Sequence, residues 1–338
     1  LRERMFLKQQ RATPILANVA LMKKFVATLP FLLTDAQRRS FWEIMKDMEK
    51  SIPMNRLLEG DVGSGKTVVA AAAMLLVANA GKRSCMLAPT EILARQHARS
   101  LEKILAPFDI GVSLYTASEK RIAKQSHIFV GTHALLQKNI RIGNLGLVVV
   151  DEQHRFGVEQ RRALTVNHVV DVRPHFLSMT ATPIPRTLAL TIYGDLDLSI
   201  LDEMPKNRKA VITAVVDPKQ HAGAYNFIRR EVKKGRQVFV VCPRIEVNDD
   251  TTLPLHGKKI QASLLWAEVK TVTEEHQKLS KEIFPDFRVC MLHGKLKAKE
   301  KSAIMKDFHE GRIDILVSTS VIEVGVDVPN ASVMMIEG

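Results

Sequence analysis

The sequence predicts an α/β protein built from two parallel-sheet domains, and three observations carry this prediction. Short apolar runs alternate with helical segments between about residues 30 and 205, as expected for a parallel sheet covered on both faces. A polar stretch with a proline follows at residues 202–209 and is typical of a linker. After this linker the same alternation starts again. The length of 338 residues also fits about two domains.

The expected elements can be placed in chain order. Residues 1–28 are expected to form a helical connector to an upstream region, and residues 247–260 a loop. The expected strands of the first domain are residues 54–58, 83–89, 128–132, 145–150 and 176–179, with an alanine-rich helix at 68–78. The expected strands of the second domain are residues 210–216, 237–243, 288–292, 314–318 and 332–336, with helices at 223–234 and 297–310.

Charge and cysteine content restrict the class of protein. Lys and Arg number 49 against 36 Asp and Glu, and the resulting net charge of +13 favours a polyanionic partner such as nucleic acid. Cys85, Cys242 and Cys290 are far apart in apolar runs, which favours reduced thiols in a cytoplasmic protein over disulfides or a zinc site. No apolar run reaches the roughly 20 residues that a membrane span needs.

A complete phosphate-binding loop, G-x-x-x-x-G-K-T, occupies residues 60–67 between an apolar run and a helix. In this setting the motif binds a nucleoside triphosphate, because backbone N–H groups and the helix N-terminus face the phosphates. Three glycines give the loop its backbone freedom: Gly60, Gly63 and Gly65. We expect Lys66 to reach the β- and γ-phosphates and Thr67 to ligate Mg²⁺. A glycine-rich turn that binds nothing is the alternative.

Two adjacent carboxylates follow the apolar run at residues 145–150. Ligands bind at the carboxyl ends of strands in parallel sheets, so Asp151 and Glu152 are expected beside the phosphate loop. Asp151 is suited to hold Mg²⁺, and Glu152 to orient and deprotonate the attacking water. A solvated acidic strand end is the alternative, and the neighbouring phosphate loop disfavours it.

Six further segments follow one another in a fixed order. They are residues 88–96 (A-P-T-E-I-L-A-R-Q), 131–133 (G-T-H), 151–154 (D-E-Q-H), 178–183 (S-M-T-A-T-P), 240–244 (V-V-C-P-R) and 317–329 (V-S-T-S-V-I-E-V-G-V-D-V-P). In this order they resemble motifs Ia, Ib, II, III, IV and V of the superfamily 2 helicases.

Residues 31–37 (F-L-L-T-D-A-Q) resemble the Q motif, which reads adenine in these helicases. The amide of Gln37 can donate to and accept from the adenine edge, and the ring of Phe31 can stack on the base. The alternative is a polar residue in the first turn of an amphipathic helix that Thr34 caps. Together with the other motifs, the segment favours ATP as the triphosphate.

Two longer strings narrow the resemblance. Residues 151–161 (D-E-Q-H-R-F-G-V-E-Q-R) and 180–189 (T-A-T-P-I-P-R-T-L-A) resemble the bacterial RecG family, ATP-dependent DNA helicases that remodel branched DNA and stalled replication forks. The resemblance implies two tandem RecA-like domains, residues 29–205 and 210–338, the second C-terminally incomplete. It also implies ATP and Mg²⁺ as cofactors and branched or forked DNA as partner. We expect a cytoplasmic bacterial monomer.

The resemblance also assigns DNA contacts by matching position. Thr90 and Thr132 fit such a role, because small hydroxyl groups and nearby backbone N–H groups hold phosphates without reading bases. Strand propensity or a helix cap is the alternative for each threonine. The matching residues of the second domain are Arg244, Ser318 and Thr319.

Two further groups of residues match family roles. His154, Thr180 and Thr182 match the residues that couple the γ-phosphate to domain movement. Gly325 and Asp327 match the contacts that the second domain makes to ATP. A lone histidine such as His154 would otherwise be interpreted as structural.

Two parts of the family pattern have no counterpart in this sequence. They are the N-terminal wedge domain and motif VI, whose arginines meet the γ-phosphate and can contribute about 10³ to 10⁵ in rate. We therefore expect this chain by itself to bind nucleotide, to hydrolyse it weakly and not to unwind forks.

Three rival functions remain at this point. The transcription-repair coupling factor shares several of these strings, and an ATP-gated nucleic-acid-binding module would need no unwinding. An RNA helicase is disfavoured by the D-E-Q-H motif and its R-F-G-V-E-Q-R extension at residues 151–161.

Overall fold

The computed structural model confirms the α/β prediction with two separate parallel-dominated sheets. The chain divides into two compact units, Leu1–Lys209 and Ala210–Gly338. The structure describes residues 10–136, 142–152, 172–182, 196–205, 211–242, 272–319 and 328–337. Within these ranges, no helix is both long enough and apolar enough to span a membrane.

The first unit contains an eight-stranded sheet in the order β4-β3-β5-β2-β6-β7-β1-β8. The strands are β1 (Asn55–Gly60), β2 (Arg83–Leu87), β3 (Gly111–Tyr115), β4 (Lys120–Arg121), β5 (Ser126–Gly131), β6 (Leu145–Asp151), β7 (His175–Thr180) and β8 (Asp197–Leu201). All pairs are parallel except β3 with β4, which is antiparallel. The carboxyl ends of β1, β6 and β7 therefore lie side by side at one edge of the sheet.

The described residues of this unit form four α-helices: α1 (Val19–Thr28), α2 (Asp35–Met48), α3 (Lys66–Asn79) and α4 (Glu91–Leu105). Helix α3 is apolar all round and buries every residue from position 68 to 77, as expected for a helix inside the core. Helix α4 is amphipathic, and one of its faces contributes to the same core. The two helices that carry the phosphate loop and motif Ia are thus fixed against one sheet.

Two buried polar contacts lie at the amino edge of the sheet, where strands β1 and β7 begin. The backbone N–H of Met54 donates to Nδ1 of His175 over 3.1 Å, so the ring proton lies on Nε2 and donates to the carbonyl of Thr13, also at 3.1 Å. Arg56 donates to Asp47 over 2.6 and 2.9 Å. Arg56 and Asp47 are both at least nine-tenths buried, so this is an interior ion pair.

The second unit contains a four-stranded parallel sheet in the order β10-β11-β9-β12. Its strands are β9 (Gln237–Val241), β10 (Val289–Leu292), β11 (Ile315–Ser318) and β12 (Ala331–Ile336). Helices α5 (His221–Lys233) and α6 (Ala298–His309) and a π-helical turn (Leu279–Ile283) accompany them. The predicted strands at 237–243, 288–292, 314–318 and 332–336 are confirmed to within a few residues.

Two sequence-based expectations are wrong. The prediction of a helix over residues 1–28 is wrong for residues 11–18, which are not helical. Pro14 interrupts this segment, and the backbone N–H groups of Ala12 and Ile15 donate to the carbonyls of Ser51 and Met48 instead of to a helix. The predicted strand at 210–216 is absent from the described residues 211–216, where Val215 is 100% exposed. β-Branched residues alone do not form a strand when no neighbouring strand pairs with them.

Strands β3, β4 and β8 were not predicted, because they lie at or near the sheet edges and carry polar residues. The predicted loop at residues 247–260 lies outside the described ranges.

Candidate nucleotide site

The phosphate loop connects β1 to α3 through two glycines in the left-handed region. Gly63 has φ of 81° and Gly65 has φ of 92°, conformations that side chains disfavour. Close packing adds a second constraint, since a Cβ at Gly60 would lie 2.6 Å from the hydroxyl of Ser64. That hydroxyl is fully buried and has no hydrogen-bond partner among the described residues. The loop thus has the backbone shape and the unused polar capacity of an anion site.

Lys66 opens helix α3, and the carboxylates of Asp151 and Glu152 lie within electrostatic range of its ammonium group. Its Nζ donates to the carbonyl oxygens of Gly60 and Asp61 at 2.6 and 3.1 Å. Burial lowers the pKa of Lys66, and nearby negative charges act in the opposite direction. These charges belong to Asp151, Glu152 and Asp61. The predicted phosphate-binding lysine and the predicted acidic pair therefore occupy one electrostatic site.

Asp151 ends strand β6 and has a partner that the sequence analysis did not identify. The Nε2–H of His97 on helix α4 donates to Oδ2 of Asp151 over 2.7 Å, and each residue is only 7% exposed. The sequence carried one signal for this contact, a histidine within the apolar face of an amphipathic helix. A buried imidazole needs a polar partner, but sequence spacing alone did not specify which one.

Glu152 follows Asp151 with a left-handed backbone, φ of 50°, which is uncommon for a residue other than glycine. This conformation accompanies contacts to the end of β7. The N–H of Ala181 donates to Oε1 of Glu152, and the hydroxyl of Thr180 to Oε2, each over 3.3 Å. The hydroxyls of Thr180 and Thr182 lie 2.8 Å apart. The structure therefore brings together the predicted catalytic carboxylate and two predicted coupling residues.

Gln37 joins helix α2 to the phosphate loop. Its Oε1 accepts from the N–H of Thr34 at 3.0 Å in a capping box, and its Nε2 donates to the carbonyl of Ser64 at 2.7 Å. Gln37 is 2% exposed, whereas Phe31 is 42% exposed. The alternative of a capped first turn is thus present in the structure, and the adenine role of Gln37 and Phe31 stays a prediction.

The donor set near Lys66 fits Mg²⁺ bound together with a nucleotide. Thr67, half-buried in the first turn of α3, and Asp151 offer oxygen atoms, the ligands that this hard cation prefers. Within the described ranges, no cluster of three or more His, Cys, Asp or Glu residues forms a protein-only metal cage. Magnesium commonly uses one or two protein ligands plus phosphates and water, which agrees with this sparse set.

The predicted DNA contacts have contrasting surroundings. The hydroxyl of Thr90 accepts from the N–H of Leu93 at 3.3 Å and caps helix α4, as one alternative anticipated. Thr132 is 9% exposed, and Ser318 and Thr319 are completely buried. The hydroxyls of Ser318 and Thr319 have no hydrogen-bond partner in the described part of the chain.

Four predicted site residues lie outside the described ranges. They are His154, Arg244, Gly325 and Asp327. Their roles in coupling, in DNA binding and in contacting ATP stay predictions.

Comparison with known proteins identifies two helicase domains. The DEAD/DEAH box helicase family matches residues 34–191, and the helicase conserved C-terminal domain matches residues 223–338. Yeast Dbp5 bound to RNA and ADP BeF3 has a TM-score of 0.59 at 21% identity, covering 94% of this chain and 78% of that one. At this identity the likeness concerns the fold alone. The two helicase-domain matches, and the solved RecG structure described below, make both units RecA-like.

Closer relatives share one description, ATP-dependent DNA helicase RecG. The Synechocystis protein is 45% identical and aligns with 98% of this chain and 39% of its own length. The Thermotoga maritima protein is 47% identical, with 94% of this chain and 40% of its own length aligned. This chain therefore spans less than half the length of these relatives.

A solved structure extends the comparison to three dimensions. The structure of RecG bound to a three-way DNA junction matches with a TM-score of 0.77 and 39% identity. The match covers 98% of this chain and 42% of that chain. On these grounds the chain belongs to the RecG helicase family.

Proposed function

We propose that this chain is the motor segment of an ATP-dependent DNA helicase that remodels branched DNA, such as stalled replication forks. One observation carries the proposal: the phosphate loop follows β1 and the pair Asp151 and Glu152 lies at the carboxyl end of β6, on the two sides of β7, whose end is hydrogen-bonded to Glu152 through Thr180 and Ala181. Such a site can hold a triphosphate, polarise it and report its state to a neighbouring strand. The names of the relatives and the junction bound to RecG support the choice of substrate.

The residues have distinct tasks in the proposed hydrolysis. Backbone N–H groups of the loop and the ammonium of Lys66 bind the β- and γ-phosphates. Thr67 and Asp151 would hold Mg²⁺, which neutralises phosphate charge when it is bound. Glu152 orients the attacking water and accepts its proton. Ala181 and Thr180 fix the carboxylate of Glu152 by donating to its two oxygens.

The same hydrogen bonds offer a route from chemistry to movement. A change of orientation at Glu152 alters its bonds to Thr180 and Ala181, and Thr182 is bonded in turn to Thr180. We propose that this segment at the end of β7 transmits the state of the γ-phosphate, with His154 as a further coupling residue.

The DNA interface is proposed on charge and position. The net charge of +13 favours a polyanion, and Thr90 and Thr132 follow the carboxyl ends of β2 and β5. In the second domain, Arg244 is proposed as a phosphate contact. Ser318 and Thr319 are buried, so any contact with DNA requires them to become accessible.

The proposal is tested by measuring ATP hydrolysis with and without a three-way DNA junction. Glu152→Gln is expected to keep ATP binding and lose hydrolysis, because the amide cannot accept the proton from water. Lys66→Ala is expected to lose binding or turnover. A Glu152→Gln variant that hydrolyses ATP at the parental rate would show that the base is assigned wrongly.

The same assay separates the rival functions. Nucleotide-dependent DNA binding without turnover, in this chain and in a longer protein that includes motif VI, would favour an ATP-gated binding module. Stronger stimulation by single-stranded RNA than by the junction would favour an RNA helicase. Weak turnover of this chain alone stays a prediction, and brisk DNA-stimulated hydrolysis would contradict it.

A further inference from the structure

His97 is a buried polar residue that has no role in the mechanism proposed above. Helix α4 buries one face, and its other buried members are apolar: Leu93, Ala94, Ala98, Leu101 and Leu105. An imidazole within such a face costs free energy unless it is hydrogen-bonded. The partner that His97 finds is the carboxylate of Asp151, at 2.7 Å.

This partner distinguishes His97 from an ordinary satisfied core histidine. Asp151 is the carboxylate proposed to hold Mg²⁺, and it is close enough to Lys66 to affect its pKa. With Oδ2 bound to His97, rotation of the carboxylate about its own axis is restricted. Hydrogen bonds to ligating groups orient them, and their loss commonly lowers metal affinity by about 10- to 100-fold.

We propose that His97 is a positioning residue that fixes the Asp151 carboxylate for the metal–nucleotide complex and links helix α4 to that site. The inference rests on the proposed function, because it requires Asp151 to serve a metal-bound nucleotide. His97 acts through Asp151 and contacts neither nucleotide nor metal. It extends the site from the end of β6 to the helix that carries motif Ia.

The link to helix α4 has a structural consequence. Thr90 caps this helix, and His97 lies two turns further along it, about 10 Å at about 1.5 Å per residue. A helix transmits displacement along its axis as a nearly rigid element. A DNA phosphate held at Thr90 would thereby bias the position of the Asp151 carboxylate.

The experiment uses substitutions that differ in where they place a donor. In His97→Gln, the amide nitrogen reaches the former position of Nε2 and can still donate to Asp151. In His97→Asn, the amide is too short to reach, and His97→Met fills the volume without a donor. The matched control is His175→Asn, which alters a buried histidine at the opposite edge of the same sheet.

The readout is binding of a fluorescent ADP analogue, titrated with Mg²⁺ and repeated in EDTA. His97→Asn and His97→Met are expected to raise the Mg²⁺ concentration for half-maximal binding about 10- to 100-fold, with binding in EDTA unchanged. His97→Gln is expected to stay close to the parent. Electron spin resonance of Mn²⁺ with ADP should give the same order of affinities without any measurement of turnover.

Each other outcome has a definite meaning. A merely structural His97 would lower thermal stability and weaken binding equally with and without Mg²⁺, and this result would overturn the inference. The control His175→Asn is expected to lower thermal stability without changing the Mg²⁺ requirement. An unchanged Mg²⁺ requirement in both donor-less variants, or an equal defect in His97→Gln, would overturn the inference alone. A parent protein that binds the analogue equally well in Mg²⁺ and in EDTA would overturn the proposed function, and this inference with it.

Discussion

Buried polar groups where β1 and β7 begin differ in their hydrogen bonding from Glu152 and Ser64 at the opposite edge of the same sheet. At the amino edge, both ring nitrogens of His175 are bonded to backbone groups, and Arg56 is paired with Asp47. At the carboxyl edge, Glu152 has a left-handed backbone with hydrogen bonds of 3.3 Å, and the hydroxyl of Ser64 has no partner among the described residues.

This difference indicates that one edge of the sheet contributes mainly to the stability of the domain and the other to ligand binding. A buried polar group that has all its partners stabilises the fold, because losing one of them leaves the other desolvated. A strained or unsatisfied group costs stability, and it stays available to a ligand. We therefore expect substitutions at the amino edge to change the free energy of unfolding and those at the carboxyl edge to change nucleotide binding.

The largest expected effect on stability comes from Arg56→Met. Removal of the guanidinium breaks the buried pair and leaves Asp47 with Lys50 as its remaining cationic partner, so the loss should approach about 3 to 5 kcal/mol, the common cost of breaking a buried ion pair. Urea denaturation measures the loss. The control is Arg39→Met, which breaks an exposed pair with Asp202 and should cost less than about 1 kcal/mol. Equal losses would contradict the structural role of the amino edge.

Gly65→Ala is expected to follow, with effects on both stability and binding. A side chain at φ of 92° costs about 1 to 2 kcal/mol, and its Cβ would lie 2.3 Å from Nε2 of Gln37. Displacement of Gln37 also breaks its bond to the loop carbonyl, so nucleotide affinity should fall. Gly81→Ala is the matched control, with φ of 70° and no atom within 4 Å of the new Cβ. The same drop in affinity in both variants would argue against this collision.

A smaller effect is expected from pH. Burial lowers the pKa of His175 below its ordinary value of 6.5. The unfolded chain therefore binds more protons as the pH falls below 6.5, and the free energy of unfolding decreases. Above this pH the stabilisation is fully present. His175→Gln should show a shallower decrease than the parent in urea denaturation between about pH 7.5 and 5. Parallel curves would contradict the neutral, doubly bonded ring.

The smallest expected effect is that of Thr90→Ala. Loss of the helix cap typically costs about 1 kcal/mol, and Thr90→Ser should restore most of it. A DNA-binding measurement on both variants distinguishes the two roles of this residue. Weaker DNA binding in Thr90→Ala than in Thr90→Ser would indicate that the hydroxyl also contacts a phosphate.

The features that could be predicted from the sequence are those formed by residues that are contiguous in the chain. The phosphate loop at residues 60–67 and the carboxylates Asp151 and Glu152 are contiguous motifs, and the central strands are almost purely apolar runs. The prediction of a strand at residues 210–216 was wrong, because a high strand propensity does not ensure that a neighbouring strand is present to pair with the segment. The edge strand β8 was not predicted because its sequence contains polar residues, yet it forms a strand because β1 pairs with it.

The long-range contacts could not be predicted from sequence. His97 and Asp151 are separated by 54 residues, and His175 and Met54 by 121. Each histidine appeared in the sequence as a polar residue in an apolar environment, which indicates that a partner exists but not which one. Only the folded sheet determines that one histidine meets a carboxylate and the other a backbone amide.

The close approach of Gly65 to Gln37 has a consequence for how this family can vary. The two positions belong to different motifs, yet a Cβ at one would collide with the amide nitrogen of the other. A larger residue at position 65 would need a shorter one at position 37 to avoid this collision, and it would still be strained by the φ of 92°, so glycine is required here for two independent reasons. A shorter residue at position 37 would therefore cost the bond to the loop carbonyl of Ser64 without making position 65 free to vary.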